Sequence, residues 1–101
     1  MRSIRHQPPA STALGLATVR GHLAHLRVFL EVTLAHSARW SSLSLMTLSD
    51  RYETDSIAVG EYDSDLASEL LCWSMYVNMA RRNGADPLRV LRVSAELLPV
   101  R

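Results

Sequence analysis

The sequence predicts a small α+β domain in which an antiparallel β-hairpin or a three-stranded meander packs on a central helix, with a C-terminal helix after it. Three observations lead to this fold class. Apolar residues alternate near position 30, a well-capped apolar segment runs from about 65 to 82, and 101 residues suit a single domain. An all-α helical bundle is the alternative, because the first apolar residues also fit helical spacing.

The chain begins with a segment that lacks regular structure signals. Pro8 and Pro9 disfavour helix and strand, so we expect residues 1–10 to form a flexible arm and residues 11–101 a single globular domain. The first thirty residues are basic and contain no acid, and whether they include a targeting sequence stays open. Charged residues interrupt every long apolar stretch, so we expect no membrane span and a cytoplasmic protein.

Residues 11–36 fit two patterns at once. Every second residue from Leu26 to Leu34 is apolar, and several residues there favour strands. Gly21 weakens a continuous helix. We therefore predict a helix or turn before Gly21 and a strand over residues 25–35. The competing helical stripe consists of Leu16, Val19, Leu23, Leu26 and Leu30.

Residues 40–60 predict the rest of the sheet. From Trp40 to Leu48, apolar residues are interspersed with small hydroxyl residues, which indicates a second strand that pairs with the first. Residues 50–55 are polar and predict a loop. The short apolar run at residues 56–60 predicts a third strand.

The segment from about 65 to 82 carries the clearest helix signals. Asp63 begins a short acidic cluster suited to capping and to the helix dipole, and Arg81 and Arg82 supply cations in the last turn. Gly84 follows as a left-handed stop. The next residues, Asp86 and Pro87, predict the start of a second helix over 87–98, docked on the first as a helical hairpin. A strand over 88–98 stays open, because apolar residues also alternate there.

Apolar residues cover more of the 65–82 helix than a single stripe, which indicates burial on more than one side. We expect part of this helix to belong to the core and the other side to bind a second copy or another protein. The predicted core residues are Leu66, Leu70, Trp73 and Val77. The predicted interface residues are Leu71, Met75, Tyr76 and Met79. The leading hypothesis is a non-catalytic regulatory or assembly module that forms a homodimer and binds an unidentified protein partner.

Charge is segregated along the chain. The net charge is +4 over residues 1–49, −6 over 50–70 and +3 over 71–101, and all eleven cationic side chains are Arg. This order permits complementary contacts between copies. It also gives an alternative function, an RNA- or DNA-binding accessory protein. Its candidate polyanion-binding residues are Arg81, Arg82, Arg89 and Arg92.

The sequence contains no catalytic or cofactor motif. Its glycines fit neither nucleotide-binding fingerprint, and no local signature selects a nucleophile among the serines. We expect Cys72 to be a small buried residue of the 65–82 helix. His22, His25 and His36 lack a ligand spacing typical of zinc, so we predict no metal site, no cofactor and no enzymatic activity.

Overall fold

A computed structural model describes residues 13–36 and 41–101. These residues form four α-helices, α1 (Ala13–Ala35), α2 (Ser42–Val59), α3 (Ser64–Arg82) and α4 (Pro87–Glu96). They contain no β-strand, so the predicted α+β class with its hairpin or meander is wrong, and the all-α alternative fits. The predicted flexible arm and the start of the predicted second strand at Trp40 lie outside the described residues.

Helix α1 replaces the strand predicted over residues 25–35. Four of the five residues of the competing helical stripe are buried, while the strand pattern would also have buried Val28 and Val32, which are 56% and 52% exposed. Packing therefore overrides the strand preference of these β-branched residues. Gly21 is exposed with open space around it, so it lowers helix propensity without interrupting the helix.

Helix α2 replaces the two predicted strands and the loop between them. Its buried stripe of Leu45, Leu48, Tyr52 and Val59 is completed by polar residues, Asp55 and Ser56, which hide the helical period from the sequence. Both polar residues are bonded to neighbouring helices. Asp55 Oδ1 lies 2.9 Å from Nδ1 of His22 in α1, and Ser56 Oγ donates to the Ala67 carbonyl in α3 at 2.6 Å.

The predicted helix over 65–82 is confirmed and begins one residue earlier, and the predicted helix over 87–98 is confirmed with its end at Glu96. Both follow the expected end signals. The side chain of Asp63 accepts a hydrogen bond from the Leu66 amide, and Gly84 adopts the left-handed φ of 73°. The side chain of Asp86 accepts from the Leu88 amide, with Pro87 at the first helical position.

Helix α2 lies at the centre of the described domain. Helix α3 packs along it as its antiparallel neighbour after the short connection at residues 60–63, and α1 packs against α2 and α4. Helix α4 follows α3 and contacts it, as the predicted hairpin requires, but its contact with α1 is more extensive. Leucine and valine form most of the core, with Tyr52 fully buried among them. No helix in the described part of the chain is long and apolar enough to span a membrane.

Candidate interaction surface on helix α3

Hydrogen bonds between small residues determine which side of α3 packs against α2. Ser49 Oγ donates to the Ser74 carbonyl at 3.1 Å, and Ser74 Oγ donates to the Ser49 carbonyl at 3.0 Å. Nearer the connection between α2 and α3, Ser56 Oγ donates to the Ala67 carbonyl. Ser49, Ser74 and Ser56 are all buried. Because these bonds connect α3 to α2 at two positions along the helices, they fix the orientation of α3 about its own axis.

In this orientation of α3, a set of large apolar side chains is exposed to solvent. We call them the outer strip. Leu71 is 46% exposed, Met75 58%, Tyr76 42% and Met79 60%, and Cys72 is exposed beside them. The outer strip is Leu71, Cys72, Met75, Tyr76 and Met79. Within the described residues no other helix covers it, since α2 lies on the opposite side of α3.

The outer strip forms one short ridge with opposite charges at its two ends. Leu71, Met75 and Met79 are four residues apart, so they share a face over about 12 Å of helix. Asp65 and Glu69 are exposed before the strip, and Arg82 is exposed after it. The apolar surface is therefore bordered by carboxylates at the N-terminal end of α3 and by a guanidinium at the C-terminal end.

A groove of about 400 Å³ runs along one edge of the outer strip, between α3 and α4. The Trp73 and Tyr76 rings meet edge to face in it, with centroids 5.4 Å apart. On its inner side Trp73 stacks on Tyr52 at 6.1 Å, which anchors the groove wall in the core. The groove is lined by Glu69, Cys72, Trp73, Tyr76, Val93 and Leu97.

The structure places the four predicted interface residues on one exposed surface, and their role as an interface stays a prediction. Of the predicted core residues of this helix, Leu66, Leu70 and Val77 are fully buried, whereas Trp73 is half-buried. The expectation that Cys72 is buried is wrong, because this thiol lies at the exposed edge of the strip.

The other predicted functional residues lie away from the outer strip or at its end. Arg82, Arg89 and Arg92 are exposed, whereas Arg81 is half-buried and donates to Asn78 Oδ1 at 3.1 Å. Binding of a polyanion by these four residues stays a prediction. His22 pairs with Asp55, and in residues 13–36 and 41–101 no three His, Cys, Asp or Glu side chains are placed to hold a metal ion.

Two features of the surface could not be found from the sequence. The groove combines side chains from α3 with Val93 of α4 and with Leu97, which directly follows α4, and no local pattern specifies how α4 docks. The pair of His22 and Asp55 joins residues that are 33 positions apart, and neither residue stands in a motif. A helical reading of α2 would have placed Asp55 on the buried stripe and so pointed to a partner for it.

Comparisons of the chain with protein-family models, with curated proteins and with solved structures found no match.

Proposed function

We propose that this chain is a non-catalytic interaction module that self-associates through the outer strip of α3 and acts by assembling or regulating a protein partner. The observation that carries the proposal is the exposure of four large apolar side chains in the outer strip, away from the face that packs on α2. Contiguous apolar surface of this kind is costly in water and is typical of contact sites.

The charges around the outer strip favour a second copy of this chain as its occupant. An isologous interface presents the same surface twice, so the surface must complement itself. Because carboxylates lie near one end of α3 and Arg82 at the other, a copy that runs in the opposite direction brings ends of opposite charge to the same level. Methionine at the centre suits such a contact, because its flexible thioether adapts to the facing surface.

Light scattering coupled to gel filtration tests the proposal on the full chain. We expect the wild-type protein at tens of micromolar to have twice the 11.3 kDa mass of one chain. Met75→Glu places a carboxylate at the centre of the strip, where burial of an unpaired charge is unfavourable, and should give a monomer with unchanged helical circular dichroism.

Ile57→Glu is the matched control, because Ile57 is 76% exposed on α2, outside the strip. This variant should remain a dimer. A wild-type protein that stays monomeric up to several hundred micromolar would disprove self-association. Equal dissociation of the Met75→Glu and Ile57→Glu variants would show that the strip is not the contact.

A further inference from the structure

We infer that the groove between α3 and α4 binds a small organic ammonium ion whose nitrogen carries alkyl groups. The groove is formed within one chain, so this inference goes beyond the proposed function and does not depend on self-association. The features that carry it are the apolar walls of the groove, a pair of aromatic rings at right angles, and a carboxylate in the lining.

The walls of the groove suit a ligand with an apolar body. Val93 of α4 and Leu97, which directly follows α4, lie on one side, and Trp73 and Tyr76 of α3 lie on the other. The volume of about 400 Å³ is within the range of small-molecule sites in proteins. Because Trp73 stacks on the fully buried Tyr52, the aromatic wall is held in place without a ligand, which lowers the cost of binding.

The charge in the groove selects a cation. Glu69 lies four residues before Trp73 and seven before Tyr76, so these three side chains share one face of α3. Among the described residues that line the groove, Glu69 alone carries a formal charge. An anion there would be repelled, and a neutral ligand would remove water from the carboxylate without replacing its interactions. A cation both occupies the groove and pairs with Glu69.

The two rings favour an ammonium ion with alkyl groups over a primary one. Trp73 and Tyr76 meet at 90° with centroids 5.4 Å apart, so they form two adjacent aromatic walls. The face of an aromatic ring attracts a cation, and quaternary ammonium ions are recognised in this way by sets of aromatic side chains. Alkyl groups on the nitrogen also bury apolar surface against Val93 and Leu97. Arg89, one turn before Val93 on α4, is exposed and does not line the groove, so water screens its charge.

Titration of the full chain with two probes of the same shape tests the inference. One probe is choline, and the other is its carbon isostere, the neutral alcohol in which a carbon atom replaces the ammonium nitrogen. Binding is followed by nuclear magnetic resonance through the indole N–H signal that disappears in Trp73→Phe, and sodium chloride keeps the ionic strength constant. We expect choline to bind at least about tenfold more tightly than the alcohol, because the alcohol lacks the attraction to the rings and to Glu69.

Glu69→Gln keeps the size of the side chain and removes its charge. This variant should bind choline at least about fivefold more weakly, and the neutral alcohol as the wild type does. Tyr76→Leu keeps an apolar wall but removes an aromatic face, and it should also weaken the binding of choline alone. Glu53→Gln is the matched control, with the same change in net charge at an exposed site on α2 outside the groove lining, and it should bind both probes as the wild type does.

The variants separate a specific site from a general attraction of cations. Equal affinity for the two probes, unchanged affinity for choline in Glu69→Gln, or equal weakening by Glu69→Gln and Glu53→Gln would overturn the inference. The titrations are repeated with Met75→Glu, the expected monomer, so that a groove covered by a second copy is not mistaken for one without affinity. Absence of binding in both proteins up to tens of millimolar choline would also overturn it. Light scattering decides self-association separately, and none of these results changes that outcome.

Discussion

Two adjacent positions on the two faces of α3 reverse the usual relation between residue type and burial. The face against α2 includes Ser74, which is 6% exposed, whereas the next residue, Met75, is 58% exposed on the solvent side. The small hydroxyl allows the two helices to approach closely and forms hydrogen bonds across the contact. The comparison teaches that the neighbour of a helix, and not the hydrophobicity of each residue, decides which face is buried.

The largest expected effect contrasts these two adjacent positions. Ser74→Leu adds volume to the close contact between α2 and α3 and removes the hydroxyl that donates to the Ser49 carbonyl, and these two effects together should lower the free energy of unfolding by about 3 kcal/mol. Met75→Leu replaces an exposed apolar side chain by one of similar size and should change the free energy of unfolding by less than about 0.5 kcal/mol. Urea unfolding at one fixed protein concentration measures both, because the stability of an oligomer depends on concentration.

Ser74→Ala separates the volume effect from the hydrogen bonds. It should cost about 1 kcal/mol, since it leaves Ser49 Oγ without the facing hydroxyl. If Ser74→Leu proved as stable as Met75→Leu, the contact between α2 and α3 would not be close-packed and would not fix the rotation of α3.

The second largest effect concerns Tyr52 of α2, whose ring stacks on Trp73 and so packs against the inner face of α3. Burial raises the pKa of Tyr52 from 10.0 to about 12, and the nearby Ser94 hydroxyl partly opposes this shift. Since the folded state keeps the phenol proton that the unfolded state loses, stability is constant below pH 10 and falls as the pH rises from 10 towards 12. The loss should be about 2–3 kcal/mol, measured by urea unfolding at successive pH values.

Tyr52→Phe removes this titration and keeps the ring. The variant should lose less stability than the wild type between pH 10 and 12. At neutral pH it should be at least as stable, because within the described residues the Tyr52 hydroxyl is buried without a partner in hydrogen-bond geometry. Parallel loss of stability in both proteins would show that other groups cause the alkaline transition.

The sequence predicts the second half of the described chain far better than the first. Helices α3 and α4 are bounded by local signals at Asp63, Gly84, Asp86 and Pro87, which act within a few residues and are visible without tertiary structure. In α1, the alternation from Leu26 to Leu34 and the helical stripe compete, and only packing against α2 and α4 decides between them. In α2, polar residues on the buried stripe conceal the period, because the groups that satisfy them lie on other helices.

The candidate site was predictable to a similar degree. The number of apolar residues around α3 predicts that one side exceeds what the core covers, and Leu71, Met75 and Met79 are on the exposed side. The groove beside them, and the exposure of Cys72, depend on where α4 docks. Helix α4 docks mainly on α1 and α2, so a pattern within α3 carries little information about its position.

The third prediction extends the comparison to α1, whose contact with α2 also includes a buried polar group. The Asp55 side chain is 8% exposed, and within the described residues its second oxygen has no partner, so His22 provides its one hydrogen bond. His22→Leu should lower the free energy of unfolding by about 2 kcal/mol, because it leaves a buried carboxylate unpaired. Urea unfolding measures this loss.

The double variant His22→Leu/Asp55→Leu should recover most of that stability, since two apolar side chains can replace a buried pair. His25→Leu, an exposed change on the same helix, is the control and should be close to neutral. A double variant less stable than His22→Leu alone would show that Asp55 has a structural role beyond this pair.

The smallest effect concerns the residue that begins α3 and thereby sets the position of both of its faces. Asp63 accepts hydrogen bonds from the Leu66 amide at 3.0 Å and from Arg101 Nε at 2.8 Å, and these bonds, that of Arg101 foremost, lower the pKa of Asp63 below its ordinary value of 3.8. Its contribution to stability is therefore present above about pH 4 and is lost as the pH falls through the lowered pKa. Asp63→Ala should cost about 1 kcal/mol at neutral pH and less below pH 3, whereas Arg101→Ala removes only one of the two bonds and should cost less. A loss in Asp63→Ala that stays constant down to pH 2 would contradict the role of the ionised carboxylate as the cap of α3.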